Sequence, residues 1–299
     1  MLLFNFSVWR QVSASNCPPS PSPGPLAAMP IPNYRRFVMQ RKKTFLLLAM
    51  ISWIIIEGCK APPITITQSQ IEAVFTPGRT MRLYWDSTSQ PVNVGRTGGP
   101  NVYDFSTLPF VMYDSSEMFS VSQIPQLAPR YPSNAVAASE EGGTVYPVFS
   151  FSNNKFYREG RGKILSATKE WYQHIIPAAE FLRFPVTFDA RYSIPITVSG
   201  DTTYVNGIPT ETSSDTSSHT TTYVDGYGTM LLPGGLTFEC LRVRIVTSSP
   251  KTGKEFHFWT REGAVILINS DTSQPDTGVV QRDYVIYFSP QIRNQNTRD

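Results

Sequence analysis

An all-β fold is predicted: an antiparallel β-sandwich, jelly-roll-like or meander, with few or no helices. Three observations predict it. Turn signals recur through the second half, at Asn206-Gly207, Asp225-Gly226, Pro233-Gly234-Gly235, Thr252-Gly253, Glu262-Gly263 and Asp276-Thr277-Gly278, with Val, Ile, Thr, Tyr and Phe between them. In the first half, Pro125, Pro129 and Pro132 exclude both helix and central strand from 123–134. The chain beyond residue 59 is about 240 residues long, a size at which all-β domains stand as single units.

The first element is a leader. Arg41, Lys42 and Lys43 precede Phe45–Ile56, an apolar run broken only by Ser52, and Gly58-Cys59 follows at once. A run of this length suits a secretory signal and falls short of the roughly 18–20 apolar residues that span a bilayer. A core helix would show polar residues at helical spacing, and Leu46–Ile56 has almost none. An apolar run ending in a small residue and then Cys resembles the lipobox of bacterial lipoproteins, with Glu57 where that family has a small or apolar residue. The resemblance implies that Cys59 becomes the lipidated N-terminus, an uncleaved anchor and a plain cleaved signal being the alternatives. Residues 1–38, with the run CPPSPSPGPLAAMPIP, then read as a disordered extension from a start assigned too early, Met39 being the first residue of the signal 39–58. Residues 59–63 form a lipidated tether, 64–289 a single β-sandwich domain and 290–299 a polar tail.

Removing the leader reverses the charge. Residues 1–59 hold six Lys and Arg and one acid, which leaves 20 bases against 22 acids. No basic surface for nucleic acid is implied. With Cys17 in the leader and Cys59 on lipid, Cys240 is the one remaining thiol, so no internal disulfide is expected.

Along the mature chain, Ile64 and Ile66 alternate with threonines as a first strand. Thr80–Trp85 is a second, with Met81, Leu83 and Trp85 on one face. Ser87–Pro100 is turn-rich, and Val102–Phe105 is extended. Thr144–Ser152 is a strand ending at the turn Asn153-Asn154. Pro177–Leu182 is the one short helix expected, with Pro at its first position and Pro185 beyond its end. The Thr/Ser-rich run 210–222 reads as an exposed strand rather than a disordered tract. TTYVNG (202–207) and TTYVDG (221–226) read as two similar strand-to-turn units. Leu236, Phe238 and Cys240 alternate with polar residues, after which Leu241, Val243 and Ile245 take over the apolar phase. That flip calls for a β-bulge near Cys240–Leu241. Pairing Val243 with Phe258 and Ile245 with Phe256 then sets Arg242 opposite Trp259 and Arg244 opposite His257. Ala264–Ile268 is apolar on both faces, as in a fully covered strand, and Tyr284–Phe288 closes the fold.

The run DGYGTMLLPGGLTFECLRVRI (Asp225–Ile245) resembles a pattern in uncharacterised β-rich exported proteins of Gram-negative bacteria. GGPNVYDFSTL (Gly98–Leu108) resembles their glycine-then-WDFS element, with Tyr103 in place of Trp, and FLRFP (Phe181–Pro185) their mid-chain FP element. The resemblance implies a β architecture and an envelope location, and brings no activity and no catalytic residues. Such proteins often end in a sorting domain for secretion. Here the lipid signal is expected to replace it.

No HExxH, CxxC, GxSxG or Walker loop occurs, and His174, His219 and His257 are far apart. No metal and no cofactor are expected. Asp271, Asp276 and Asp283 flank one loop without the alternating spacing of a calcium loop. The sharpest local candidate is a binding face of Arg242, Arg244, His257 and Trp259, cations beside an aromatic, suited to a sugar or an anionic polymer. An ordinary solvent face or a covered layer is the plain alternative. The expected function is a lipid-anchored, non-catalytic binding or structural module of the cell envelope, with a glycan or an envelope protein as partner. It is an outer-membrane lipoprotein facing the periplasm rather than the surface, since Lys60-Ala61 carries no acidic sorting residue. The alternative is a polysaccharide hydrolase or carbohydrate-binding protein of the envelope.

Overall fold

The computed structural model describes residues 62–214, 218–248 and 253–290. Cys59, the leader and the tail beyond 290 lie outside the described residues. Lys60–Asp299 form one compact unit. After a short helix α1 (Gln68–Glu72), the first half contains β1 (Thr80–Asp86), β2 (Val92–Asn93), β3 (Gly98–Asp104), β4 (Val111–Ser120), β5 (Val136–Ala138), β6 (Val145–Ser152), β7 (Lys155–Ile164) and β8 (Lys169–Arg183). The second half contains β9 (Arg191–Val205), β10 (Ile208–Ser214), β11 (Ser218–Leu232), β12 (Leu236–Ser248), β13 (Gly253–Thr260), β14 (Val265–Ser270), β15 (Val279–Val280) and β16 (Tyr284–Pro290). The all-β prediction holds, and among the described residues no helix is long and apolar enough to cross a membrane.

Fourteen strands share one sheet in the order β10-β9-β8-β7-β6-β5-β4-β1-β16-β14-β13-β12-β11-β3, and β9 also pairs with β11. That extra pairing closes the ladder into a circuit, leaving β10 and β3 outside it. Two strands carry the chain from one wall of the circuit to the other. β4 pairs with β1 through Glu117 and with β5 from Met118 onward. β9 pairs with β11 through Thr197 and with β8 from Val198 onward. Strands that change sheet in this way make the corners of a sandwich. One wall is β1, β16, β14, β13, β12 and β11; the other is β5 to β8.

Each wall is covered outside as well as inside. On the first wall, Phe256, Phe258, Ile266, Ile268, Val285 and Tyr287 face outward and are buried by Val92, Val94, Tyr103, Phe105 and Val280. On the second, Val148 and Tyr172 are buried by Ile124, Leu127 and Tyr131 of the proline-rich segment, which forms neither strand nor α-helix, as its prolines require. Between the walls, Leu241, Val243, Trp259 and Val265 meet Phe156, Leu182 and Ile71. Each such side chain contributes about 1.5–3 kcal/mol when fully buried. Covering on both faces explains why Ala264–Ile268 shows no alternation.

Two of the three runs that carry the exported-protein resemblance, Gly98–Leu108 and Asp225–Ile245, lie on each other. β3 pairs in parallel with β11, Asn101 beside Gly228. A Cβ on Gly228 would overlap the Asn101 carbonyl oxygen, and one on Gly226 would stand 2.6 Å from the Tyr103 hydroxyl. The glycines of DGYG are there to admit β3.

Several expectations need correction. Pro177–Leu182 is not a helix; it lies in β8, whose backbone is taken by β7. Ile64 and Ile66 are buried, but only Ile66 pairs, as a single bridge to Val186. Asp225-Gly226 is not a turn: β11 runs through it, and the second TTYVDG unit continues where TTYVNG ends at the turn Asn206-Gly207. The bulge is on β11 at Asp225, not at Cys240–Leu241 on β12. The phase change on β12 marks where the strand becomes covered on both faces, Cys240 on the outer side and Leu241 on the inner.

One buried ion pair ties the end of β1 to the loop before β16. Arg282 donates Nη2 to Asp86 Oδ2 at 2.6 Å and to Thr88 Oγ1 at 3.0 Å, and Nε to the Gln90 carbonyl at 2.7 Å. Both side chains are fully buried. Removing one partner strands the other's charge, so Asp86→Ala should cost about 3–5 kcal/mol of unfolding free energy in urea titration. The double variant D86L/R282M should lose much less, because no charge is left behind.

Candidate binding site between the walls

The four residues expected to share a binding face are divided between the two faces of the first wall. β12 and β13 pair one residue out of the expected register: Val243 faces His257, Ile245 faces Glu255, and Arg242 and Arg244 face Phe258 and Phe256. Arg242 and Arg244 therefore point outward beneath the covering loops, and His257 and Trp259 point inward. No common solvent face exists.

The outward pair belongs to a clasp. Arg242, 0% exposed, donates Nε to Asp225 Oδ1 at 2.8 Å and Nη1 to the Val94 and Asp276 carbonyls at 2.9 and 3.1 Å. Arg244 donates Nε to Asp225 Oδ2 at 2.9 Å and pairs with Asp276 at 3.1 Å, and Lys254 reaches Asp276 at 2.7 Å. The bulge at Asp225 is what aims one carboxylate at both arginines. Asp276 is thus committed to bases, and Asp271 caps the Ser273 amide. Among the described residues, no group of His, Cys, Asp and Glu is placed to hold a metal ion.

The inward face of the first wall changes character along its length. Successive cross-strand rows follow from the register. Leu241, Trp259, Val265 and Phe288 form the apolar row that packs on the second wall's phenylalanines. The next row is Val243, His257, Leu267, Ile286 and Trp85. The outermost is Ile245, Glu255, Asn269 and Tyr284. Trp85 stacks on Tyr284, centroids 5.0 Å apart and planes within 20°. Glu255 accepts a hydrogen bond from His257 Nε2 at 2.8 Å and keeps 26% of its side chain accessible.

Facing these rows, β7 presents two arginines. Phe156 is in the inner core, and Arg158 follows on the same face, opposite Phe149. A bulge at Glu159 shifts the phase. Gly160 and Gly162 then meet Tyr131 and Leu127 on the outer side, so Arg161 points inward. Arg161 pairs with Glu140 at 3.4 Å. Arg158, 7% exposed, makes no ion pair with a described residue, and its Nε has no hydrogen-bond partner. Burial, then the adjacent charge of Arg161, pushes its guanidinium below its ordinary value, against the pull of Glu140 and Glu255. Other buried polar atoms on the inward faces also lack a partner, among them the nitrogens Arg161 Nε, His257 Nδ1 and Trp259 Nε1 and the hydroxyls of Ser116 and Thr222.

The carboxyls of this space are displaced in opposite directions. Burial raises Glu140 above the ordinary carboxylate range despite Arg161. Burial is the largest single influence on Glu255 and works against its charge, but the hydrogen bond from His257 and the positive charges around it, Arg158 among them, together outweigh it and the group ends below that range. The walls therefore hold fixed charges and oriented donors beside an aromatic stack. The sequence alone points to His257 and Trp259, but on the opposite face, and gives no local motif for Arg158, Glu255, Trp85 or Tyr284. The one available signal was Arg158, a charge standing in the apolar phase set by Phe156.

Comparison with family models, with curated proteins and with solved structures finds no match to this chain.

The clasp makes a pH prediction. Burial alone would raise Asp276, but the Lys254 hydrogen bond and the Arg244 charge hold it below the ordinary aspartate range. The folded chain thus keeps this carboxylate ionised to lower pH than the unfolded chain does. Its contribution is full above about pH 4 and is lost as pH falls through the lowered value. Urea midpoints measured from pH 7 to pH 3 should fall less steeply for Asp276→Asn than for the parent. Parallel curves would contradict the clasp.

Proposed function

We propose that the chain is a lipid-anchored protein of the Gram-negative cell envelope and a non-catalytic binding module that takes its ligand between the two walls. The address rests on Arg41–Lys43, the apolar run to Ile56 and Cys59, with the compact β unit starting at the next residue, Lys60. The binding role rests on one observation: a guanidinium buried between the walls with no ion pair among the described residues, amid other inward polar atoms that lack partners. Buried polar groups are normally satisfied, and an unpaired buried charge costs several kcal/mol. A protein retains such a group where something outside its own fold completes it. The anchor holds the module at the outer membrane, facing the periplasm, where its partner is a glycan or another envelope component.

A second reading, a hydrolase of envelope polysaccharide, is favoured by Glu140 and Glu255. Both carboxyls act on Arg158 and are pushed apart in acidity, which is the division an acid and a base require.

Cys59→Ser separates the address from the fold. In the native host the parent should take up labelled palmitate and sediment with outer membrane, protected from protease in intact cells. The serine variant should take up none and leave that fraction. A parent that keeps Phe45–Ile56 and carries no acyl group would remove the address. If the hydrolase reading holds, Glu140→Gln should lower hydrolysis of envelope polysaccharide at least about 100-fold. Absence of turnover by the parent would remove that reading.

A further inference from the structure

We infer that the ligand presents an oxyanion to Arg158 and lays a flat unit on the Trp85–Tyr284 stack, as an acidic sugar does. This deepens the binding reading above and rests on it. Each feature bears on a different part of such a molecule.

The unsatisfied nitrogens of these faces are mostly donors. Arg158 Nε, Arg161 Nε and Trp259 Nε1 each carry a hydrogen and cannot accept. His257 turns Nε2 to the Glu255 carboxylate, so Nε2 holds the proton and Nδ1 is left as the lone acceptor of the set when the ring is neutral. Three donors and one acceptor match a carboxylate flanked by a hydroxyl better than a neutral apolar body.

Charge leads to the same class. Of the acids near Arg158, Glu255 is engaged by His257 and Glu140 by Arg161. Neither forms an ion pair with Arg158, and Arg161 adds a second positive charge beside it. An incoming anion would give Arg158 the ion pair that neither acid gives it. The flat unit follows from the aromatic pair. Trp85 and Tyr284 lie nearly parallel and inward-facing, half-buried, and Tyr113 stands 6.0 Å from Trp85 at the start of β4. Stacked aromatic faces receive the apolar face of a sugar ring, while the guanidinium fixes its acid group.

The probes are glucuronate, its neutral counterpart glucose and inorganic phosphate, tested on protein purified from its host. Leu267→Cys places a thiol in the middle inward row, and its alkylation by iodoacetamide is followed by peptide mass. We expect alkylation in the ligand-free protein, slowing with glucuronate and with phosphate, and no slowing with glucose at tenfold higher concentration. Arg158→Met should abolish the protection and raise the melting temperature of the ligand-free protein, because an unpaired buried charge has been removed. Arg158→Lys, which keeps the charge and loses the fork, should bind glucuronate roughly ten- to hundredfold more weakly. If the introduced thiol is alkylated but neither anion protects it, or if Arg158→Met melts lower than the parent, the anion assignment falls and the open binding space stands. If that thiol resists alkylation until the protein unfolds, the space is closed and the binding reading falls with it.

Discussion

The pairing of β9 with β11 is the constraint on which the remaining structure depends. Without it the two walls would be joined along one side only, through β4, and could close on each other at the other side. With it, and with β4 crossing at the other side, the backbone ladder runs round the molecule without a break. Ladder hydrogen bonds then fix the walls relative to each other along the polar end as well as along the apolar one. The phenylalanine-rich end is filled and supplies the hydrophobic stabilisation. The end lined by Glu255, His257, Arg158 and Trp85 is left to polar groups. One circuit thereby supports a core and a site in the same interlayer.

Three buried charge groups show how differently the fold treats arginine. Arg282 is closed, with the Asp86 carboxylate, the Thr88 hydroxyl and the Asp86 and Gln90 carbonyls taking its hydrogens. Arg242 and Arg244 are nearly closed, sharing Asp225 through a bulge that exists to aim it. Arg158 is open. The same chain satisfies two such groups with carboxylates placed at hydrogen-bond distance and leaves the third with acids already engaged elsewhere. That contrast, rather than the number of charges, sets Arg158 apart from the other buried arginines named here.

Much of the fold was legible because turn chemistry is local. Asn153-Asn154 and Asn206-Gly207 take positive φ as hairpin turns need, and the prolines of 125–132 exclude regular structure wherever they fall. Pairing register was not legible. From Cys240 to Val243 every side chain is buried, so the period-two signal that fixes register vanishes where β12 meets β13. A one-residue slip then moved Arg242 and Arg244 to the opposite face from His257 and Trp259. The Pro177–Leu182 stretch has helix-start chemistry, but its neighbours in β7 and β8 override it. The site itself joins β1, β7, β13 and β16, which are distant in sequence, and no local pattern announces their meeting. The leader is the reverse case: a short run with its own chemistry, readable without any fold.

The decisive measurement is a crystal structure of the protein isolated from its native host without added ligand, at a resolution that places ordered solvent. Density that belongs to no atom of the domain, an anion or ordered water held between the walls, is expected within hydrogen-bond distance of the Arg158 guanidinium. A guanidinium paired directly with Glu140 or Glu255, or an interlayer filled by the protein's own side chains, would contradict this expectation.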